Sequence, residues 1–243
     1  MKLENHLPDQ ARARVLVAAA HADDEVIGCG GTLARHAAKG DAVHVVFLAD
    51  GVSARCPADR ASVLQKLRER KEAAAAAHRI LGIQGAQYLG FPDNRLDSLP
   101  LLDIVRALES ILEKLAPDVI YTHHHGDLNI DHHITHKAVL TACRPQPGMR
   151  VREIYAFEVI SSTEWNTPGI EPFAPQCHVD ITPWLDKKMA ALEAYQMEMR
   201  KAPHSRSPEH IGALAAHRGM CVGVAAAEAF MVTRICRYAK DER

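Results

Sequence analysis

Two short stretches of the chain concentrate side chains capable of chemistry. The first is His21-Ala22-Asp23-Asp24-Glu25. The second is His123-His124-His125-Gly126-Asp127-Leu128-Asn129-Ile130-Asp131-His132-His133. Imidazoles mixed with carboxylates suit a divalent metal such as zinc, which in a catalytic site takes three protein ligands and keeps one position open for water. His21 and Asp24 lie on one tight loop, and a histidine of the second stretch would complete a His-Asp-His set. The carboxylate left over, Asp23, would then sit beside the water as a general base. A metal that acidifies water and polarises a carbonyl, next to a spare base, is sufficient for hydrolysing an amide. An acidic run is ordinarily a solvated turn, but here a histidine precedes it, glycines follow it and an apolar run leads into it. The chain has 15 histidines, and their clustering matters more than their number.

Bringing the two stretches together is the task of the surrounding elements. Val15 to Ala20 is a short, continuous apolar run, as expected for a buried parallel strand. Gly30 to Ala38 reads as a helix, ended by Lys39-Gly40. Ala42 to Ala49 is a second strand, followed by a helix from about Ala61 to Leu81 that Gly82 stops. Ala86 to Phe91 is a third strand, Leu101 to Leu115 a helix, Val119 to Thr122 a fourth strand and His132 to Cys143 a helix. Beyond them the pattern gives strands at Ile154 to Ile160 and His178 to Ile181. Helices follow at Trp184 to Met199 and around Glu209 to Arg218, with a surface loop from Asn166 to Pro175. Alternation at this spacing predicts an α/β fold with a doubly wound, mostly parallel sheet. No repeat or linker interrupts it, so residues 1–243 read as a single domain, with residues 1–10 as a flexible tail. Ligands of open parallel sheets bind beyond the carboxyl ends of the strands, where both His/Asp stretches fall. Asp50 and Asp93 follow the second and third strands there.

Composition narrows the partners. The net charge is −1, from 29 Lys and Arg against 30 Asp and Glu, which gives no bulk attraction to nucleic acid or to an anionic membrane. Aromatics make up 5%, too few for a base-stacking platform. No run of about 18 apolar residues predicts a membrane span, and the polar amino terminus does not resemble a secretory signal. Six cysteines without a Cys-x-x-Cys pair suit reduced thiols in the cytoplasm. Gly28-Cys29-Gly30-Gly31 could suggest a dinucleotide turn, but position 33 is leucine and the adjacent carboxylates would repel a pyrophosphate.

His21-Ala22-Asp23-Asp24-Glu25 resembles the His-Pro-Asp-Asp-Glu signature of the GlcNAc-phosphatidylinositol de-N-acetylase superfamily, the PIG-L or LmbE-like proteins. Gly28 to Thr32 is similar to the family's glycine-rich helix entry, and Asp131-His132 to the close of its second motif. The likeness continues through Gly90-Phe91-Pro92-Asp93, Pro203-His204-Ser205-Arg206-Ser207 and Ala227-Glu228-Ala229-Phe230. It implies a Rossmann-like fold in which His21, Asp24 and His132 hold Zn²⁺, with Fe²⁺ or Co²⁺ also admissible to a His/Asp set. It further implies Asp23 as base, with Asp131 among the catalytic residues.

The sequence departs from the family at two points. Ala22 replaces proline, and Asn129 stands where many members have a histidine that assists at the oxyanion or the leaving amine. Asn129 can donate a hydrogen bond but cannot deliver a proton, so the amine must be protonated by Asp23 or by another histidine, with His204 ahead of His124. By the same resemblance Asp93 holds sugar hydroxyls and Arg70 binds substrate. Arg206 and Arg218 could face a phosphate or nucleotide on the sugar, and His124 is placed on the substrate side.

Alternating side chains cannot all face one site, so at most one of His123, His124 and His125 is expected to act there. His136, one turn after His132, could be a further ligand by spacing, but the resemblance gives it a packing role. His36, His44, His78 and His217 read as ordinary and Cys29 as packing, while Asp50 suits equally a holder of loop amides or a catalytic residue. The sequence thus predicts a metal-dependent deacetylase acting on a small N-acetylated sugar or nucleotide sugar, as a possible homo-oligomer. The alternatives are an amidase on a non-sugar acyl compound and a sugar-binding protein without turnover.

Overall fold

The computed structural model describes residues 12–54, 60–165 and 167–238. The expected tail at residues 1–10 lies outside them. The elements run β1 (Arg14–Ala19), α1 (Asp24–Ala38), β2 (Ala42–Ala49), α2 (Arg60–Leu81), β3 (Gly85–Phe91), α3 (Leu101–Leu115), β4 (Val119–His123) and α4 (Ile130–Ala142). They continue with β5 (Glu153–Phe157), β6 (Cys177–Asp180), α5 (Leu185–Ala194), α6 (Pro208–Met220) and β7 (Ala227–Ile235). The seven strands form one sheet in the order β3-β2-β1-β4-β5-β7-β6. The first five are parallel, and β7 runs antiparallel to both β5 and β6. The result is the mostly parallel, helix-flanked sheet that the alternation predicts. Strand order reverses between β1 and β4, so the loops after these two strands splay around a crevice there.

Both faces of the sheet are covered, which is why β1 and β2 are apolar at every position except Arg14 and His44. Val15, Val17 and Phe47 pack on one side with Leu33, Ala77 and Tyr195 of the α1, α2 and α5 layer. Leu16, Ala18 and Leu48 pack on the other with Ile104, Leu108 and Val139 of α3 and α4. Gly28 lets α1 lie directly on the sheet, since a Cβ there would stand 2.3 Å from the Phe157 ring. No helix among the described residues is long and apolar enough to cross a membrane.

α1 begins at Asp24, six residues before the start the glycines suggest. The two readings meet at Cys29, whose φ of −146° and ψ of 17° break the helix in two. The second half has its own cap: the Glu228 carboxylate accepts the N–H groups of Gly31 (2.9 Å) and Thr32 (2.7 Å). Lys188 pairs with Glu228 at 2.6 Å and donates to the Ile27 carbonyl, at the end of the first half, at 2.8 Å. A buried ion pair thus ties both halves of the kinked helix to α5 and β7.

Three other elements differ from expectation. β5 stops at Phe157 instead of Ile160, because the Thr163 hydroxyl accepts the Val159 N–H (2.8 Å) and turns the chain. α5 ends at Ala194 instead of Met199. Tyr195 has left the helical conformation there, and its hydroxyl is hydrogen-bonded to Glu25. The sequence marks Ala227-Glu228-Ala229-Phe230 only as a motif, and pairing with β5 and β6 makes Ala227–Ile235 a strand.

Lys188→Met leaves Glu228 buried without its countercharge. Loss of one partner of such a pair costs about 3–5 kcal/mol, and urea unfolding of the variant is expected to show a loss of that order. Adding Glu228→Gln should recover part of it.

Candidate metal centre

The loop after β1 is held by side chains at each step. Ala20 N–H donates to His123 Nε2 (2.8 Å), His21 N–H to Asp24 Oδ2 (2.8 Å) and Asp23 N–H to Glu25 Oε2 (3.0 Å). His21 Nδ1 and His132 Nε2 both stand 3.4 Å from Asp24 Oδ2. One ligand atom from each of His21, Asp24 and His132 falls within 4.8 Å of the others, and all three residues are buried. Asp24 Oδ1 and His132 Nε2 are buried without a hydrogen-bond partner. Buried lone pairs in that state are costly unless they coordinate something, so the donor set fits a divalent cation.

Both imidazoles are braced from behind. His21 Nε2 meets Asp131 Oδ2 at 3.0 Å and Asp93 Oδ1 at 3.2 Å, and His132 Nδ1 meets Asp127 Oδ1 at 3.1 Å. A carboxylate on the distal nitrogen sets the orientation and basicity of a ligating histidine. His21, Asp93 and Asp131 form a second geometric group of possible ligands. Asp131, however, already accepts the N–H groups of Asn94 (2.7 Å) and Leu96 (3.0 Å). The His21–Asp24–His132 group has the unused lone pairs.

Electrostatics agree. Burial pushes the Asp24 carboxyl up, but the neighbouring His132, His21 and His123 hold it well below the usual range. Burial disfavours the charged forms of His21 and His132, yet the surrounding carboxylates raise His21 well above the ordinary value and His132 to about 9. Without a cation the histidines are driven to supply positive charge, a demand a divalent ion would meet. His123 goes the other way. Burial and the nearby His132 charge push it well below its ordinary value, and it stacks on the His132 ring at 3.8 Å while its Nε2 serves the loop.

Asp23 lies beside this group with its pKa raised to about 6. Burial is the main cause and Asp24 adds to it, while Arg206 opposes. Its carboxylate is 2.7 Å from Arg206 Nη1, and Arg206 Nε donates to the Ser161 hydroxyl (2.6 Å). Asp23, His21, Asp93, Asn129, Arg70 and Arg206 all line one small cleft, together with Glu198. Asn129 is the N-cap of α4. Its Oδ1 accepts the Asp131 N–H (2.9 Å), which turns its NH₂ towards Asn94 and the cleft.

Two predicted residues stand apart both from this cleft and from the His21–Asp24–His132 group with its bracing carboxylates. His204 is exposed, edge-on to Trp165, with its Nδ1 accepting the Arg206 N–H (3.0 Å). His124 is bonded through Nε2 to the Glu171 carbonyl (3.0 Å) and faces Phe173. His136 bonds the His123 carbonyl through Nδ1 (2.8 Å), and Asp50 accepts the N–H groups of Val52 and Ser53 at 2.9 Å each. The residues that sequence reasoning left without a role are supports. They are Asp127, with Ser162 and Thr163 on its other oxygen, and Glu25, Tyr195 and Glu198. Asp127 and Glu25 stand inside the two noticed stretches, but Tyr195 and Glu198 carry no local signal.

The sequence model of the GlcNAc-PI de-N-acetylase family, PIG-L, matches residues 16–143. An uncharacterized deacetylase of Escherichia coli K12, YaiS, is 31% identical over 191 residues, covering 76% of this chain and 91% of the relative. The 4-oxalmesaconate hydratase of Pseudomonas putida KT2440 is also 31% identical, over 193 residues, covering 73% of this chain and 71% of the relative. Among solved structures, the N,N'-diacetylchitobiose deacetylase of Pyrococcus horikoshii superposes with a TM-score of 0.75 at 21% identity, over 96% of this chain and 87% of that one. At that identity the likeness speaks for the fold.

Asp127→Asn removes the charge behind His132 while leaving the three candidate ligand atoms in place. Loss of such an outer partner typically costs about 10–100-fold in metal affinity. Competition with a chelator of known affinity is expected to show a weakening of that order for zinc.

Proposed function

The chain belongs to the GlcNAc-PI de-N-acetylase (PIG-L) family, and from that premise we propose that it is a metal-dependent N-deacetylase. Its reaction would convert the acetamido group of an N-acetylglucosamine-type sugar or sugar conjugate to free amine and acetate. The observation that carries the reading is the buried His21–Asp24–His132 group with unsatisfied lone pairs, set beside a carboxyl whose pKa is raised to about 6. When bound there, a divalent ion (Zn²⁺, with Fe²⁺ or Co²⁺ as alternatives) supplies Lewis acidity that acidifies water and polarises the amide carbonyl.

Asp23 takes the proton of the attacking water as the oxygen–carbon bond forms. Near neutral pH a carboxyl with a pKa near 6 is mostly ionised yet basic enough to hold that proton. The Asn129 NH₂, turned to the cleft, donates to the carbonyl oxygen as negative charge gathers on it. Breakage of the carbon–nitrogen bond needs a proton on the departing amine. We assign its return to Asp23, which lines the cleft, in preference to the surface residue His204. Arg206 keeps the Asp23 carboxylate oriented.

The charges of the cleft support a neutral substrate. Arg206 is paired with Asp23 and Arg70 with Glu198, so a polyanion would have to break an ion pair to gain a cation. That favours an acetamido sugar over the alternative raised by the 31% identical hydratase, whose substrate name denotes a polycarboxylate. A hydratase could use the same water-activating groups to add water across a carbon–carbon double bond. A cytoplasmic setting belongs to the same proposal, since the five described cysteines are free thiols.

The test is acetate release from a panel of N-acetylated sugars, nucleotide sugars and non-sugar N-acyl compounds, with and without chelator. Absorbance loss of 4-oxalmesaconate is followed in parallel. The proposal expects chelator-sensitive acetate release from sugars and no hydration. Hydration without acetate would overturn it. Asp23→Asn should lower kcat by about 10²–10⁴-fold, the usual contribution of a general base, while keeping bound metal. Asn129→Ala should cost about 10²–10³-fold, as for loss of one oxyanion donor. A binding protein without turnover would keep its ligand affinity in both variants.

Arg206→Met removes the charge that holds the Asp23 pKa down. The acidic limb of the kcat/KM profile marks ionisation of the base, so it should move to higher pH. A limb that stays put would remove Asp23 from that role.

A further inference from the structure

Asp23 has a backbone that its side chain does not explain. Its φ is 134° and its ψ −29°, a region that residues other than glycine enter only when their surroundings impose it. Those surroundings act on a single peptide group. The carbonyl of Ala22 accepts a hydrogen bond from Arg70 Nη1 at 3.1 Å, and the N–H of Asp23, at the other end of the same peptide, donates to Glu25 Oε2 at 3.0 Å. A planar peptide gripped at its oxygen and its hydrogen cannot rotate without losing one of two buried bonds.

Both grips are anchored. The second oxygen of Glu25 is bonded by the Tyr195 hydroxyl at 2.7 Å and by His78 Nε2 at 3.1 Å, and all three residues are buried. His78 is in turn stacked on Phe47. Arg70 is fixed at its other end by the ion pair with Glu198. It also lies against Gly51, where a Cβ would stand 2.7 Å from Nη1 and where φ is +70°. Of the Arg70 guanidinium nitrogens, only Nε is buried without a partner.

We propose that Arg70 and Glu25 are positioning residues that clamp the Ala22–Asp23 peptide from its two ends, with Tyr195 and His78 as the buried supports of Glu25. The clamp holds Asp23 in its strained backbone so that its carboxylate stands beside the His21–Asp24–His132 group. This rests on the reading of Asp23 as the base, and it replaces the substrate-binding role that resemblance gives Arg70. His78, an ordinary histidine by sequence, becomes part of the same device from two turns further along α2.

The two roles of Arg70 separate kinetically. A substrate-binding arginine, removed as Arg70→Met, raises KM and leaves kcat largely unchanged. Loss of the clamp lowers kcat with KM nearly constant, since misplacing a reacting group by about 1 Å can cost on the order of 100-fold. The same signature, about 10-fold or more in kcat, is expected from Tyr195→Phe, which removes one hydroxyl and keeps the packing. Arg70→Lys should recover part of the Arg70→Met loss, because an ammonium can still donate to the Ala22 carbonyl.

Hydrogen exchange at the Asp23 amide provides a readout independent of turnover. Exchange about 10-fold faster or more in Tyr195→Phe and Arg70→Met than in the parent protein is the expected result, with metal content unchanged. A rise in KM alone on removing Arg70, or unchanged kcat and unchanged Asp23 exchange in Tyr195→Phe, overturns the clamp. If the parent protein releases no acetate from any substrate, the proposed reaction fails instead, and the exchange rates still decide the clamp.

Discussion

Negative charge is buried at the carboxyl end of β1, and most of the site is organised around that fact. Asp23, Asp24, Glu25, Asp127 and Asp131 are buried in the segments that follow β1 and β4 and meet at the switch in strand order, and Asp93 is buried beside them in the segment that follows β3. An ionised carboxylate out of water is tolerated only when paired or hydrogen-bonded. Histidines 21 and 132 meet four of these carboxylates directly, backbone amides of the β3–α3 connection meet Asp131, and Arg206 meets Asp23. Among the buried side-chain atoms left without a hydrogen-bond partner are Asp24 Oδ1 and His132 Nε2, which face one another's residues in this cluster. Their position is the strongest physical reason to read a cation there.

Holding such a cluster requires a rigid frame. β1 and β4 are adjacent and parallel, so the loops that follow them leave the sheet side by side. α1 leaves the first loop at once, and its kink at Cys29 lets the short leading turn aim Asp24 at the crevice while the remainder lies along the sheet. The buried Lys188–Glu228 pair bridges that kink. Burial of an ion pair is a weak source of net stability. Its value here is in geometry, because it joins α1 to two elements from the far end of the chain.

The same frame is compatible with more than one reaction, as the two relatives of equal identity make plain. A metal beside a base activates water for addition to an acyl carbon or to a conjugated alkene alike, and fold does not choose between them. The choice falls to the groups that line the cleft. Here they include the ion pairs Arg206–Asp23 and Arg70–Glu198 and the side chains of Asn94 and Asn129.

Much of this was legible in the sequence because it depends on local order. Alternating apolar runs and helical periods set out four parallel strands and their crossovers, and His/Asp density after strands one and four marked the site, since a side chain's chemistry travels with its position along the chain. The start of α1 was hidden because glycines at positions 28, 30 and 31 look like an entry, whereas the capping carboxylate that makes the second half a helix comes from residue 228. β7 was hidden for a similar reason: its strand character lies in pairing with β5 and β6. Only the tertiary structure decided that Asp127 braces His132, that His204 stays at the surface and that Arg70 grips the Ala22 carbonyl. Residue types and local periods are properties of neighbours in sequence. The partner of a buried charge is settled by whichever residue the fold brings within hydrogen-bond reach, often from more than a hundred positions away, as Glu25 and Tyr195 are at |i−j| = 170.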